Sequence, residues 1–116
     1  MARQTANKAR SGEIIRGSGN VFADLGLSDA EERQTKLRLA YALNTIIDAR
    51  RLTQSAAAER LGLNQPKVSA LRHYKLAGFS VERLMTLLTA LDRDIDIVIR
   101  KKPRSRGAAR ISVVAA

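Results

Sequence analysis

LTQSAAAERLGLNQPKVSALR, residues 52–72, contains the capping and turn residues from which the fold can be predicted. Thr53 and Asn64 are residue types that cap helix N-termini, because their side-chain oxygens accept hydrogen bonds from the first free backbone amides. Gly62 lies between them and tolerates the left-handed backbone of a tight turn. The stretch therefore predicts two short helices joined by a turn, the first over Gln54 to Leu61 and the second ending at Arg72.

The small residues of this stretch have the spacing of a helix-turn-helix, in which a small residue stands four positions before the glycine of the turn. Ala58 and Gly62 fill these two places. Ala58 lets the two helices approach closely, and Val68 and Leu71, three residues apart, anchor the second helix to the core. Pro66 is tolerated in the first turn of that helix, where its missing N–H is not needed. Its outer face is then free to enter a DNA major groove.

Candidate DNA contacts follow from a helical turn of about 100° per residue with Val68 and Leu71 inward. Glutamine pairs with adenine, serine bonds several base edges, proline can touch a thymine methyl, and lysine or arginine suits guanine or phosphate. Polar side chains beside helix N-termini suit phosphates. The predicted base-reading residues are Gln65, Pro66, Lys67, Ser69 and Arg72. The predicted phosphate-binding residues are Arg50, Arg51, Thr53, Gln54, Asn64 and Lys75.

Two longer helices are predicted around the motif. Ser28 and Glu31 match a capping box, so a helix begins there and ends near Arg51, burying one apolar stripe. Ser80 caps another helix, with Phe79 and Leu84 as a hydrophobic staple. The two stripes consist of Leu39, Leu43, Ile46 and Ile47, and of Leu84, Leu87, Leu88 and Leu91. The predicted fold is mainly α, a compact helix-turn-helix domain of four to five helices over residues 21–94.

The C-terminal residues 95–116 change period. Ile95, Ile97 and Ile99 alternate with other residues, as in a strand with one buried face, and residues 111–114 could form a second strand after the Pro/Arg/Ser/Gly segment 103–107. An exposed edge with three isoleucines favours aggregation unless it is covered. We therefore expect a C-terminal strand or hairpin that dimerises through Ile95, Ile97 and Ile99.

The net charge of +10 favours a polyanionic partner, but it lies mostly at the ends. Residues 1–20 carry +3, residues 21–100 carry +2 and residues 101–116 carry +5. The first twenty residues form a basic tail that we expect to be mostly disordered. The charge therefore supports nucleic-acid binding less strongly than the spacing of residues 52–72 does.

Several classes of function are disfavoured. The chain has no cysteine, which excludes disulfides and thiolate chemistry. His73 has no second histidine or carboxylate arranged for catalysis or metal binding, so we expect no enzyme, cofactor or metal. No apolar run approaches the roughly 18 residues of a membrane span, and no signal peptide is evident. A cytoplasmic protein without membrane contact is expected.

At Leu52-Thr53-Gln54, Ala58, Gly62 and Val68-Ser69-Ala70-Leu71 the chain resembles the Cro/C1-type helix-turn-helix repressors, the XRE family. The segments NVFADLGL, GFSVERL and LDRDIDIVIR extend the likeness over Val21 to Ile99, toward antitoxins of the HigA type. This resemblance implies a homodimer that binds a palindromic operator and neutralises a HigB or RelE-like mRNA-cleaving toxin. It also implies Gln65, Lys67 and Ser69 at the bases and Gln54 at a phosphate. His73-Tyr74-Lys75 departs from the usual Asn and Gly turn.

Three alternatives remain open from the sequence. A stand-alone phage-like repressor would use the same helices without a toxin. A protein-interaction module would use the same fold without binding DNA. A nonspecific nucleic-acid binder would depend on the basic ends rather than on the second helix of the motif.

Overall fold

The computed structural model describes residues 29–115, which form a mainly helical domain. The helices are α1 (Asp29–Ala49), α2 (Gln54–Leu61), α3 (Gln65–Arg72) and α4 (Val81–Ala90). The predicted bounds of the two short helices are confirmed. The predicted capping box begins at Ser28, outside the described residues. Helix α1 ends two residues before the predicted Arg51.

The predicted N-caps within the described residues, Thr53, Asn64 and Ser80, each make the expected hydrogen bond. Thr53 Oγ1 accepts from the backbone N–H of Ala56 at 3.0 Å, and Asn64 Oδ1 accepts from that of Lys67 at 2.9 Å. Ser80 Oγ accepts from Arg83 N–H at 3.0 Å. These oxygens replace the intrahelical partners that the first turn of a helix lacks.

The four helices end with the same device, a left-handed residue just beyond the helix. Gly62 does this after α2, with φ of 68°. The other three left-handed residues carry side chains: Arg51 (φ 54°), Tyr74 (φ 59°) and Asp92 (φ 65°). In each case the next backbone N–H returns to a carbonyl in the last turn, as Lys75 N–H does to Ala70 at 2.8 Å. This is the Schellman arrangement, so Tyr74 ends α3 where glycine is usual.

One continuous apolar core holds the helices together. Helix α1 packs mainly against α4, and α2 packs mainly against α3. Both predicted leucine and isoleucine stripes are buried, and Phe79 and Leu84 are buried with them. The α2–α3 unit packs against the pair formed by α1 and α4. The core therefore fixes the orientation of α3.

The predicted C-terminal hairpin is wrong for the single chain. No strand forms between Leu91 and residue 115, because neither 95–99 nor 111–114 finds a backbone partner within the described residues. Ile95 and Val113 pack against the core, one at each end of the intervening segment. The alternating pattern predicted an extended backbone with one apolar side, but a β-ladder also needs a second strand, and this chain supplies none here.

Candidate nucleic-acid interface

The α2–turn–α3 unit has the geometry predicted for a helix-turn-helix. Ala57 and Ala58 are buried where α2 meets the core, and Val68 and Leu71 are fully buried on the inner side of α3. The left-handed Gly62 sends the chain from α2 into the turn, where Leu63 N–H bonds the Ala58 carbonyl at 3.0 Å. Helix α3 is thus held by its inner face, and its opposite face is available to a partner.

The exposed part of α3 is its N-terminal turn. Gln65 and Pro66 are exposed, and the structure gives the Gln65 amide no partner within residues 29–115. Ser69 is half-buried, and its carbonyl accepts hydrogen bonds from His73 N–H at 3.0 Å and from the ring at Nδ1, 2.8 Å away. The side of α3 that solvent reaches therefore presents neutral groups, led by an amide able to donate and accept.

Lys67 is turned toward its own protein. Its ammonium donates to the Gly78 carbonyl at 2.9 Å and lies 4.9 Å from the centre of the Phe79 ring. A hydrogen bond and a cation–π contact thus tie the start of α3 to the loop before α4. A Cβ on Gly78 would come within 2.8 Å of the Lys67 ammonium, so glycine at this position leaves room for the contact.

Arg72 is also engaged within the protein, at the other end of α3. Its Nη1 donates to Asn44 Oδ1 at 2.9 Å, and its Nη2 pairs with Asp48. Asn44 is buried in α1, and its Nδ2 donates to the Leu71 carbonyl at 3.1 Å. We call Asn44, Asp48 and Arg72 the α1–α3 clamp. It fixes the C-terminal end of α3 against α1.

Arg50, predicted to bind phosphate, bonds the end of α4 in the free protein. Its guanidinium donates to the Leu91 carbonyl at 2.7 Å and lies 3.6 Å from the Asp92 carboxylate. Arg60 of α2 reaches the same carboxylate at 3.1 Å. Asp92, exposed just beyond the end of α4, thus joins an arginine that follows α1 to one in α2.

The remaining phosphate candidates divide into caps and unpaired side chains. Thr53 and Asn64 use their side-chain oxygens as N-caps. Arg51, Gln54 and Lys75 are exposed, and their side chains make no hydrogen bond or ion pair within the part of the chain that the structure describes. Arg51 precedes α2, Gln54 begins it and Lys75 follows α3, and all three are available to an anionic partner.

The three predicted dimerisation residues differ in exposure. Ile95 packs against the core. Ile97 and Ile99 are 75% and 92% exposed, and Val98 between them is 68% exposed. Burial of such side chains is strongly favourable, so a consecutive exposed run is a candidate contact surface.

Residues 29–115 hold no group of three or more histidine, cysteine, aspartate or glutamate side chains placed to bind a metal ion. None of α1 to α4 has the length and hydropathy to cross a membrane.

A family model for a helix-turn-helix domain matches residues 21–100. A solved structure of a protein named "Putative XRE Family Transcriptional Regulator" is 82% identical in sequence, with a TM-score of 0.75. The match covers 77% of this chain and 100% of that chain. The chain belongs to the XRE family of helix-turn-helix proteins. Among curated proteins, no match was found.

Family membership confirms the broader sequence prediction. The likeness to Cro/C1-type proteins was inferred from residues 52–72, and the family match spans that motif and both flanking helices. The narrower likeness to HigA-type antitoxins stays a prediction. Sequence reasoning missed the partners of the basic side chains, above all Asn44 and Asp48, since neither belongs to a motif.

Proposed function

We propose that this XRE-family protein is a sequence-specific DNA-binding transcriptional repressor that inserts α3 into the major groove. The observation that carries the proposal is the exposed Gln65 amide, unpartnered within the described residues, at the N-terminal turn of a helix anchored at both ends. In helix-turn-helix proteins the N-terminal residues of the second helix contact base edges. A glutamine there can donate to and accept from adenine together.

The proposed roles follow from what each side chain is free to do. Gln65, Pro66 and Ser69 read bases. Pro66 contributes only an apolar contact with a thymine methyl. Arg51, Gln54 and Lys75, with the exposed α2 N-terminus, bind phosphates. The side chains already engaged within the protein are assigned to positioning α2 and α3; these are Arg50, Lys67 and Arg72.

Selection from a random duplex pool followed by fluorescence anisotropy tests this role of α3. The Gln65→Ala protein should lose about 1 to 3 kcal/mol on the selected duplex and discriminate less among bases, because one bidentate base contact disappears. Arg51→Ala should weaken selected and random duplexes alike, since a phosphate contact carries no sequence information. Equal losses on both duplexes for Gln65→Ala would contradict base reading.

The repressor is proposed to act as a homodimer on a palindromic operator. A single α3 spans only a few base pairs, and two copies placed about 34 to 36 Å apart would read two half-sites. The exposed run from Ile97 to Ile99 supports this, because its backbone has no partner in the described chain and a second copy could pair with it. The protein would then act in the cytoplasm, where its DNA lies.

Sedimentation analysis tests the dimer. Ile97→Lys should give monomers, because it places a charge in the apolar contact, and half-site DNA binding should survive. The matched control is Ile111→Lys, at a less exposed isoleucine of the same segment. An Ile97→Lys protein that remains dimeric would remove this surface from the proposal.

The narrower proposal is an antitoxin that represses its own operon and inhibits a HigB or RelE-like ribonuclease. Its support is the sequence likeness over Val21 to Ile99. Co-expression with the product of an adjacent ribonuclease-like gene, followed by purification through a tag on this chain, tests the pairing. A phage-like repressor without a toxin would bind the selected duplex but retain no such product.

A further inference from the structure

The C-terminal part of the described chain contains a loop rich in basic residues. Ile95 and Val113 pack against the core, so the chain between them leaves the domain and returns to it. From Ile97 to residue 115 this segment has no acidic residue. We define the basic loop as residues 100–110, with six cationic side chains: Arg100, Lys101, Lys102, Arg104, Arg106 and Arg110.

The basic loop has a defined turn at its centre. Arg106 N–H donates to the Pro103 carbonyl at 3.2 Å, which closes a four-residue turn. The Lys102 ammonium donates to the Arg106 carbonyl at 3.0 Å across the same turn. Lys101, Arg104 and Arg110 are exposed, and their side chains have no hydrogen bond or ion pair within residues 29–115. The basic loop therefore carries at least three unpaired cations within eleven residues.

Of the basic residues from Arg50 to Lys75, only Arg51 and Lys75 are exposed and unpaired within the described residues. Arg50 and Arg60 share Asp92, Lys67 bonds Gly78, and Arg72 belongs to the α1–α3 clamp. Residues 29–95 carry eleven lysines and arginines against eight acidic residues. Affinity of small DNA-binding proteins comes largely from cations that displace counterions from phosphates. The unpaired cations of residues 29–95 are spread along that stretch, whereas the basic loop places three within eleven residues.

We propose that the basic loop is a second DNA-binding surface, which contacts the phosphate backbone of the duplex beside the segment read by α3. The inference rests on the proposed DNA-binding function and adds a site to it. Lysines and arginines on an exposed turn suit phosphates because they need charge and reach rather than a fixed hydrogen-bond pattern. The loop supplies sequence-independent affinity, and α3 supplies the discrimination.

The test compares two triple variants with the same loss of charge. K101Q/R104Q/R110Q removes three unpaired cations of the loop. R33Q/R83Q/R93Q removes three exposed cations outside the loop, α2 and α3. Kd for a random-sequence 24-base-pair duplex and for the pool-selected duplex is measured by anisotropy from 50 to 200 mM NaCl. Circular dichroism verifies that both variants keep the wild-type helix content.

The loop variant should reduce the slope of log K against log salt by about 0.9 for each lost contact, about 2 to 3 in all. The reduction should be the same on both duplexes, so their Kd ratio stays unchanged, and the control variant should keep the wild-type slope. An unchanged slope in the loop variant, or an equal decrease in the control, overturns the proposal. Loop-dependent binding to phosphatidylglycerol vesicles with an unchanged DNA slope also overturns it, in favour of a lipid surface.

The Gln65→Ala protein keeps the two proposals separable. If it loses discrimination while the loop variant keeps the wild-type slope, the loop proposal fails and the reading role of α3 stands. If the wild type binds both duplexes equally and the loop still sets the slope, the specific-repressor proposal fails and the loop stands.

Discussion

Replacing Arg72 by alanine distinguishes a positioning arginine from a base-reading one. Nη1 bonds Oδ1 of the buried Asn44 at 2.9 Å, a part-buried bond to a charged group worth about 1.5 to 3 kcal/mol. The Asp48 side chain is 67% exposed, so its ion pair adds about 0.2 to 1 kcal/mol. Loss of both contacts should lower the free energy of unfolding by about 2 to 4 kcal/mol.

Urea denaturation of the free protein, followed by circular dichroism at 222 nm, measures this loss. Lys75→Ala is the matched control, because its side chain is exposed and unpaired within the described residues, and it should change stability by less than about 0.5 kcal/mol. A double-mutant cycle with Asn44→Ala should give a coupling of about 1 kcal/mol or more.

The opposite pattern would rule out a positioning role for Arg72. A base-reading arginine leaves the free protein unaffected, so the stability of Arg72→Ala would lie within about 0.5 kcal/mol of wild type. Discrimination between selected and random duplexes would then collapse. In that case the α1–α3 clamp would be incidental, and the guanidinium would leave Asn44 when DNA binds.

Four further predictions concern the helix ends and the core. Arg51→Gly relieves a left-handed backbone and should raise stability by about 0.5 to 1 kcal/mol in urea, while weakening selected and random duplexes alike. Lys67→Met keeps an apolar stem beside Phe79 but loses the ammonium, so the free energy of unfolding should fall by about 1 kcal/mol. Asp92→Asn retains a residue that tolerates the left-handed backbone and removes the carboxylate shared by two arginines; its loss of about 0.5 to 1 kcal/mol should vanish in 1 M NaCl. Leu84→Ala empties a fully buried site and should cost about 2 to 5 kcal/mol, with a matching decrease in thermal midpoint.

The helices and their core could be predicted because their signals are local. Thr53, Asn64 and Ser80 are residue types with one strong preference, and each bonds an amide three residues away. Gly62 marks the turn because glycine readily adopts the left-handed backbone found there. The buried leucine stripes repeat at helical spacing, so their common face follows from sequence alone.

The partners of the basic side chains could not be predicted, because each contact joins residues distant in sequence. Arg50 bonds a carbonyl 41 residues away, and Arg72 bonds Asn44, 28 residues away. Helical geometry shows which way a side chain leaves its helix, but a long arginine can bend toward any acceptor that tertiary packing brings near. The charge available to DNA depends on those long-range contacts.

The prediction of a C-terminal strand was wrong for a related reason. Alternation of Ile95, Ile97 and Ile99 predicts which side chains share a side of an extended chain, and Ile95 does pack against the core. Alternation does not identify a hydrogen-bonding neighbour. The left-handed backbone at Arg51 and Tyr74 could not be predicted either, since no glycine marks those helix ends.

The anchoring of α3 at both ends has a thermodynamic consequence for recognition. Asn64 caps one end and Arg72 holds the other before any DNA arrives. A preorganised helix loses little conformational freedom on docking, so little entropy opposes the contacts it forms. Calorimetry should therefore show a binding heat capacity close to that of the buried surface alone, without the larger negative value that accompanies folding on binding.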